Sequence, residues 1–485
     1  MSSLKQQIIL GFIWRFLQNI GTQAISFIVS LVLARLLMPS DFGLIAMITV
    51  FTSIAGVFIS TGLSSSVIQK KDLSELDINT IFHSGIILSI ILYVILFFAA
   101  TSIAHFYNEP QLIPLLRAQS LSLIISAVYS TQQALLIRRM QFKKSFVATL
   151  FGVCIQGLIG VFLAFNGLGA WALVLSNIAN SIACATVMWV IVKWTPRFQF
   201  SINSFKQVFS FSFKMLSVSL VHSIFQNIQS LIIGKQYSGS DLAYFNRGSQ
   251  FPYLIMLQVD GSMNTVLFSS LSKYQDDWNS GLRLLRHSMR TSLFVSMPLM
   301  IGLCAAAEPL ILFLLTDKWI DSVPYVRIAS IISLFWPLSA QKSALNALGK
   351  SGITLAMNIC SNLLTVLLVF LTYKVSVIIM VASSIVSSTI FLVIGFFVYR
   401  KNLNYRIRDQ IQDIAPTLVI SLIMGVIIYS ITHLHFLPFI TLTIQITLGV
   451  SVYLLLSHLF KLKGYMYLVT LLRPYISRKL HNVFP

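Results

Sequence analysis

Hydrophobic residues come in long runs along this chain, and the polar positions inside the runs fall at helical spacing. Between Ile8 and Leu33, Arg15, Asn19, Thr22, Gln23, Ser26 and Ser30 recur at steps of three and four. That spacing puts them on one side of a helix. The other side carries Phe12, Ile13, Phe16, Ile20, Phe27, Val29 and Leu31. The run is long enough to cross roughly 30 Å of hydrocarbon. Hydrocarbon satisfies no hydrogen bonds, so a polar stripe there lines water, a substrate or a neighbouring helix. An arginine inside a span costs about 2.5–3.5 kcal/mol to insert, so Arg15 calls for a cavity or a partner.

The same pattern predicts an all-α membrane protein with fourteen spans, near residues 8–33, 43–66, 81–104, 112–135, 146–165, 169–192, 207–233, 243–271, 289–307, 324–347, 352–372, 376–399, 414–432 and 436–459. The eighth is the most polar, with Asn246, Arg247, Pro252, Asp260 and Gly261. Composition agrees with spans rather than soluble domains. Of 485 residues, 56% are hydrophobic and 10% charged, a balance no soluble domain shows. The first run is too long for the apolar core of a signal peptide and lacks a small-residue cleavage site, so it reads as a membrane helix. Cys154, Cys184, Cys304 and Cys360 sit inside apolar runs, which indicates neither a disulfide framework nor a metal centre. The net charge of +20 is scattered over short loops, which excludes a nucleic-acid-binding surface.

Loop charge predicts orientation. With the N-terminus inside, cytoplasmic segments hold 25 of the 34 basic residues, among them Arg138, Arg139, Lys342, Lys350, Arg400 and Arg408. The outward side and outer helix ends hold seven, including Arg35, Lys235 and Arg247. This bias places both termini in the cytoplasm, and the basic C-terminal tail there could rest on anionic headgroups.

The two halves repeat. Trp14-Arg15 matches Phe213-Lys214, Arg35 and Ser40-Asp41 match Lys235 and Ser240-Asp241, and His83-Ser84 matches His287-Ser288. Pro114 to Arg117 matches Pro324 to Arg327. The offset grows from 199 to 210, as insertions between fixed elements would make it do. Six helices separate the copies, so spans one to six and seven to twelve form two parallel bundles, with two spans appended. The domains expected are therefore residues 1–200, 201–400 and 401–485.

In such a design the substrate path lies between the halves. The seventh span, partner of the first, carries Lys214, Ser219, His222, Gln226 and Ser230 on one stripe, with Asn227 and Gln229 beside it. Arg15 and Lys214 each lie about 10 Å into an outward-running helix. Two cations facing one cleft would attract an anionic headgroup. The alternative is an ion pair with Asp260, and one acid cannot neutralise two cations. Asp409 and Asp413 read as cytoplasmic loop acids, and Asp41, Asp241 and Glu308 as outer-end acids. A polar lining of cations, amides and hydroxyls with almost no carboxylate suits phosphate and sugar. Trp14 and Phe213 either face a sugar or pack.

Trp14-Arg15, Gly21-Thr22-Gln23, the stretch from Leu33 through Ala34-Arg35-Leu36-Leu37-Met38-Pro39-Ser40-Asp41-Phe42-Gly43 to Met47, and Gly62-Leu63-Ser64 resemble the start of bacterial polysaccharide flippases. So do Asn79 to Phe82, Phe106-Tyr107 and Arg139 to Lys143. These are lipid-linked oligosaccharide exporters of the polysaccharide transport family, in the multidrug/oligosaccharidyl-lipid/polysaccharide exporter superfamily. The resemblance is dense over residues 8–150 and nearest the colanic acid, teichuronic acid and lipopolysaccharide subgroup. It implies two six-helix lobes in a V, plus two C-terminal helices, alternating between inward and outward access. The implied substrate is an undecaprenyl-pyrophosphate-linked oligosaccharide, moved from the cytoplasmic to the periplasmic leaflet of the bacterial inner membrane. Arg15 and Lys214 match the family's pyrophosphate-holding cations, and Asn19, Gln23, His222 and Gln226 complete the expected substrate-binding set. Asp260 is an ion-pair or coupling candidate. No cofactor is implied, and transport would draw on protons, sodium or membrane potential. Membrane lipid and other polysaccharide-assembly proteins are the further partners. One departure stands out: the family often has an acid two residues before the glycine matching Gly62, and here that place is Ser60. Two other classes compete. A drug/cation antiporter of the same superfamily needs acids that the first span lacks. A polysaccharide polymerase or lipid-linked glycosyltransferase needs a large outer loop or a carboxylate site. No Gly-rich phosphate loop, zinc spacing or Ser/His/Asp set is visible, so no catalytic residue is assigned.

Overall fold

A computed structural model describes residues 2–70, 72–434 and 436–470. Within these, the side chains of residues 2–13, 15, 16, 19, 61–65, 69, 207–211, 214, 260–266, 268 and 269 lie outside the description. Among the described residues the secondary structure is helical throughout, and the chain forms two compact units, Met1–Ala243 and Tyr244–Pro485.

The first unit contains α1 (Ser2–Leu36), α2 (Pro39–Val57), a π-helical turn (Phe58–Leu63), α3 (Ser64–Gln69), α4 (Glu75–Tyr107), α5 (Leu112–Arg138), α6 (Phe142–Phe165), α7 (Ala170–Val192) and α8 (Ile202–Gln236). Then α9 (Gly239–Leu271) runs into the second unit, followed by α10 (Trp278–Ala305), α11 (Ala307–Leu314), α12 (Val323–Ser333), α13 (Ser339–Ala347), α14 (Ser351–Thr372), α15 (Val377–Leu403), α16 (Ile407–Thr432) and α17 (Pro438–Leu459). Twelve helical stretches among the described residues are long and apolar enough to cross a membrane, against fourteen expected. The two outside that count are α1 and α9, helices of 35 and 33 residues that are described only in part.

Small residues bring the first unit's helices together. A Cβ on Gly157 of α6 would lie 2.6 Å from Val29 of α1, and one on Gly152 would lie 2.3 Å from Cys184 of α7. Close backbone approach of this kind drives helix association where lipid removes the hydrophobic incentive. On α1 the residues turned to α6 include Trp14, Gln18, Gly21 and Val29. Gln18 donates to Ser145 Oγ at 3.0 Å, and the Trp14 and Phe146 ring centroids are 6.1 Å apart.

Two spans are interrupted. The second closes as the π-helical turn, where Ser60 donates back to the Gly56 carbonyl at 3.0 Å. The tenth stops at Ser333 and resumes at Ser339 through a 3₁₀ turn, Trp336–Leu338. Pro337 has no N–H to give and cannot continue the helical ladder.

In the second unit, α16 lies along α10, and α17 packs on α16 and α11. Apolar side chains of α10, α16 and α17, among them Phe294, Ile420, Met424, Ile428 and Tyr453, form one buried cluster. The α10–α16 contact ends in charge. Asp413 accepts from Arg286 Nε at 2.7 Å and from Arg290 Nε at 2.8 Å, and the Tyr405 hydroxyl donates to the same carboxylate. Asp409 takes a further Arg286 bond at 3.3 Å. Asp413, expected in a loop, is therefore a fully buried helix residue.

Candidate functional site

The expected substrate-binding residues lie on α1 and α8, both in the first unit, and Asp260 lies on α9 in the second. Helices α1 and α8 each run 35 residues without a single Asp or Glu. The side chains of Arg15, Asn19, Lys214 and Asp260 lie outside the described residues, so their place is given only by their helices. On α1, Thr22, Gln23, Ser26 and Ser30 are half-buried, beside the face that meets α6. The Thr22 hydroxyl turns back to the Gln18 carbonyl.

On α8 the expected stripe divides. Ser230 is buried, whereas His222 and Gln226 are exposed. The packed face of α8 runs through Ser212, Leu216, Asn227, Ser230 and Ile233, against α2, α4 and the π-helical turn. Asn227 donates to Ser223 O at 2.8 Å and reaches Ser53 Oγ of α2 at 3.4 Å. His222 and Gln226 thus lie outside the packed seam, and Asn227 is part of it.

The two aromatic residues part ways. Trp14 packs: besides Phe146, the Lys143 ammonium sits 5.3 Å from its ring centroid. Phe213 is exposed and lines an apolar hollow with Phe200, Phe205, Phe58 and Ile87.

Other cations have partners. Lys70 pairs with Asp77 at 2.8 Å. Lys235 donates to the Phe106 carbonyl and sits over that ring, and Arg117 does the same at Phe97, with Nε 3.2 Å from the carbonyl oxygen. Three features escaped sequence reasoning. The buried Arg247 stacks on Trp319, 5.3 Å from the ring centroid, and donates to Gln250. Its repeat mate at an offset of 200 is the equally buried Met47. The Arg286, Arg290, Asp409, Asp413 group had a signal, because both pairs stand four residues apart and so share helix faces. The third is a cavity around Lys342 in the second unit. Among the described residues, no group of three or more His, Cys, Asp or Glu side chains converges as metal ligands would.

The motif around Asp41 has a structural reading. Asp41 accepts from the Met38 N–H at 3.1 Å, closing the start of α2. Two residues on, a Cβ on Gly43 would stand 2.0 Å from the Gly239 carbonyl oxygen, so the α2 and α9 backbones touch there. Residues 32–324, which contain this corner, match the family described as "Polysaccharide biosynthesis protein". The chain belongs to that family.

Relatives within reach of the polysaccharide biosynthesis family include the teichuronic acid biosynthesis protein TuaB of Bacillus subtilis (strain 168). It is 25% identical over 466 residues, 94% of this chain and 96% of its own length. The succinoglycan biosynthesis transport protein ExoT of Rhizobium meliloti (strain 1021) is 24% identical over 318 residues, 66% of this chain. That alignment spans 64% of ExoT, less than two thirds of its length. Among solved structures, the inward closed conformation of the lipid II flippase MurJ matches with a TM-score of 0.77 and 18% identity, over 93% of this chain and 98% of that one. An inward-facing multidrug resistance MATE transporter of the MOP superfamily matches at 0.61 and 13% identity, over 79% and 94%. These two likenesses concern the fold: a multi-pass helical membrane protein built as MurJ and the MATE transporters are.

Proposed function

We propose that this chain is a flippase carrying a polyprenyl-pyrophosphate-linked oligosaccharide from the cytoplasmic to the outer leaflet of a bacterial inner membrane, with both termini in the cytoplasm. The observation that carries this reading is the chemistry of α1 and α8. Both are long and free of acids, and each carries a cation well inside its first half, Arg15 or Lys214, beyond a lysine in its first turns and before a run of amides and hydroxyls. An acid-free cationic lining holds pyrophosphate and repels cationic drugs. Arg15 and Lys214 would hold the pyrophosphate, while Asn19, Gln23, His222 and Gln226 would meet the sugars. The work is transport rather than catalysis, driven by ion gradients or membrane potential. In this reading α1 and α9 also span the membrane, giving fourteen spans in two six-helix lobes with α16 and α17 added.

The names of TuaB and ExoT, a biosynthesis protein for one surface polysaccharide and a transport protein for another, support the substrate class. The test is a strain lacking the gene. It should lose one surface polysaccharide and accumulate the corresponding lipid-linked unit in the cytoplasmic leaflet. Unchanged polysaccharide with new drug sensitivity would instead make the chain an antiporter.

A further inference from the structure

The broken tenth span encloses space. Between α13, α14 and α15 and the 3₁₀ turn before α13 lies a cavity of about 430 Å³, all of it within the second unit. That is within the size range of small-molecule sites, roughly 300–1,000 Å³. Its walls combine three chemistries. Phe335 and Trp336 present aromatic surface from the turn, Ser339, Ser361 and Ser388 present hydroxyls from three different helices, and Lys342 presents an ammonium. The interruption makes this possible. Leu334, Phe335 and Leu338 close three-residue turns at 3.2, 3.3 and 3.2 Å where a straight helix would have bonded four residues back. Interrupted spans are where membrane transporters expose polar groups to ligands.

Lys342 decides what kind of ligand. Its Nζ donates to Asn358 Oδ1 at 2.8 Å, and among the described residues no carboxylate lies within 4.0 Å of it. The contrast with Lys70, Arg286 and Arg290 is direct, since each of those meets an Asp. A neutral amide leaves the charge uncompensated and leaves two of the ammonium's three N–H donors to give. A cation held this way in a membrane span marks a site for an anion.

We propose that the Lys342 cavity binds the phosphate of a lipid headgroup, with Ser339, Ser361 and Ser388 as further donors and Trp336 and Phe335 against the adjoining apolar or sugar surface. Two membrane sources offer that chemistry: an anionic phospholipid and a polyprenyl phosphate. The cavity is built from the second unit's own residues, whereas Arg15 and Lys214 belong to helices of the first, and its occupancy does not depend on the flippase reading.

The test is native mass spectrometry of the full chain in detergent. The probes are dioleoyl phosphatidic acid and undecaprenyl phosphate, with dioleoylglycerol and undecaprenol as phosphate-free counterparts. Wild-type protein should retain each phosphate lipid over its counterpart. Lys342→Gln should weaken that retention at least about tenfold, the loss expected for one hydrogen bond to a charged group. Lys342→Arg should keep most of it, and Lys350→Gln, whose ammonium bonds the Asn402 carbonyl away from the cavity, should keep all of it. Stronger retention of undecaprenyl phosphate or of phosphatidic acid identifies the source and upholds the site in either case. Equal retention of phosphate lipids and their alcohols, or undiminished binding by monodisperse Lys342→Gln, overturns it. The readout is binding, so a failed transport assay and a failed cavity are told apart.

Discussion

Asp41 and Asp241 stand 200 residues apart and make the same bond: each carboxylate accepts, at 3.1 Å, the backbone N–H three residues before it, from Met38 and from Ser238. Each holds the start of the helix after a cation-bearing one, α2 after α1 and α9 after α8. At this corner the two matched sequence stretches also share a bond. Its use is mechanical. Both acids close a tight helix-to-helix corner whose free N–H groups would otherwise lack partners.

Gly43 tests that corner. Any side chain there must push on the Gly239 backbone, which cannot swing away as a side-chain tip could. Gly43→Ala should sharply reduce folded, membrane-inserted protein and lower the unfolding temperature of what remains. Gly56→Ala is the control, because a Cβ there meets nothing within 4 Å. It should be neutral or slightly stabilising, by up to about 1 kcal/mol. Equal tolerance at both positions would refute the contact.

Asp413 is the keystone of the α10–α16 contact. Asp413→Ala leaves two guanidiniums without their buried partner and should cost about 3–5 kcal/mol. Asp409→Ala, at the more exposed rim, should cost less than about 1 kcal/mol. Thermal unfolding in detergent reads both. Tyr405 adds a pH signature. Burial, and then the bond to the Asp413 carboxylate, push its phenol above the ordinary tyrosine value. The folded state keeps that proton when the unfolded chain gives it up. The stabilisation is therefore complete below about pH 10 and is lost as pH rises further. Tyr405→Phe should show a shallower alkaline loss than wild type, and identical alkaline curves would contradict this.

Orientation is checked by labelling. Asn166 and Asn404 are both exposed and lie on opposite sides in the proposed topology. In a chain with Cys154, Cys184, Cys304 and Cys360 replaced, Asn166→Cys should react with an impermeant thiol reagent in intact cells, and Asn404→Cys should not. The reverse pattern would invert the protein in the membrane.

Arg15 and Lys214 are tested by export per inserted molecule. If they share a pyrophosphate, Arg15→Ala should do the greater damage, since a guanidinium grips two oxygens while an ammonium is a point charge. Arg15→Lys should recover part of the activity, and Lys214→Arg should be tolerated better than Lys214→Ala. Were they instead structural partners of Asp260, the alanine variants would lose folded protein, and Asp260→Asn would restore it. Normal export per molecule in both alanine variants would end the substrate-site reading.

The spans were legible because hydrocarbon imposes one rule, that every backbone group be satisfied locally, and apolar runs obey it visibly. What escaped was polar chemistry placed by contacts distant in sequence. Asp413 looked like a loop acid because hydropathy windows end where charges begin, yet Arg286 and Arg290 lie more than 120 residues away and draw it inside. Lys342 was counted with the cytoplasmic cations although it falls inside the tenth apolar run, and Pro337 in that run went unread as a break. The α8 stripe was drawn from periodicity alone. Periodicity names a face but not the neighbour, so it could not separate the buried Ser230 from the exposed His222 and Gln226.

The carboxylates that hold Arg286 and Arg290 both come from α16, one of the two helices beyond the repeat. A chain ending after Leu403 would leave Arg286 and Arg290 without those carboxylates. The last pair of helices is therefore no longer a detachable addition. Removing α16 and α17 would unbalance α10, a helix inside the repeat, by two uncompensated charges.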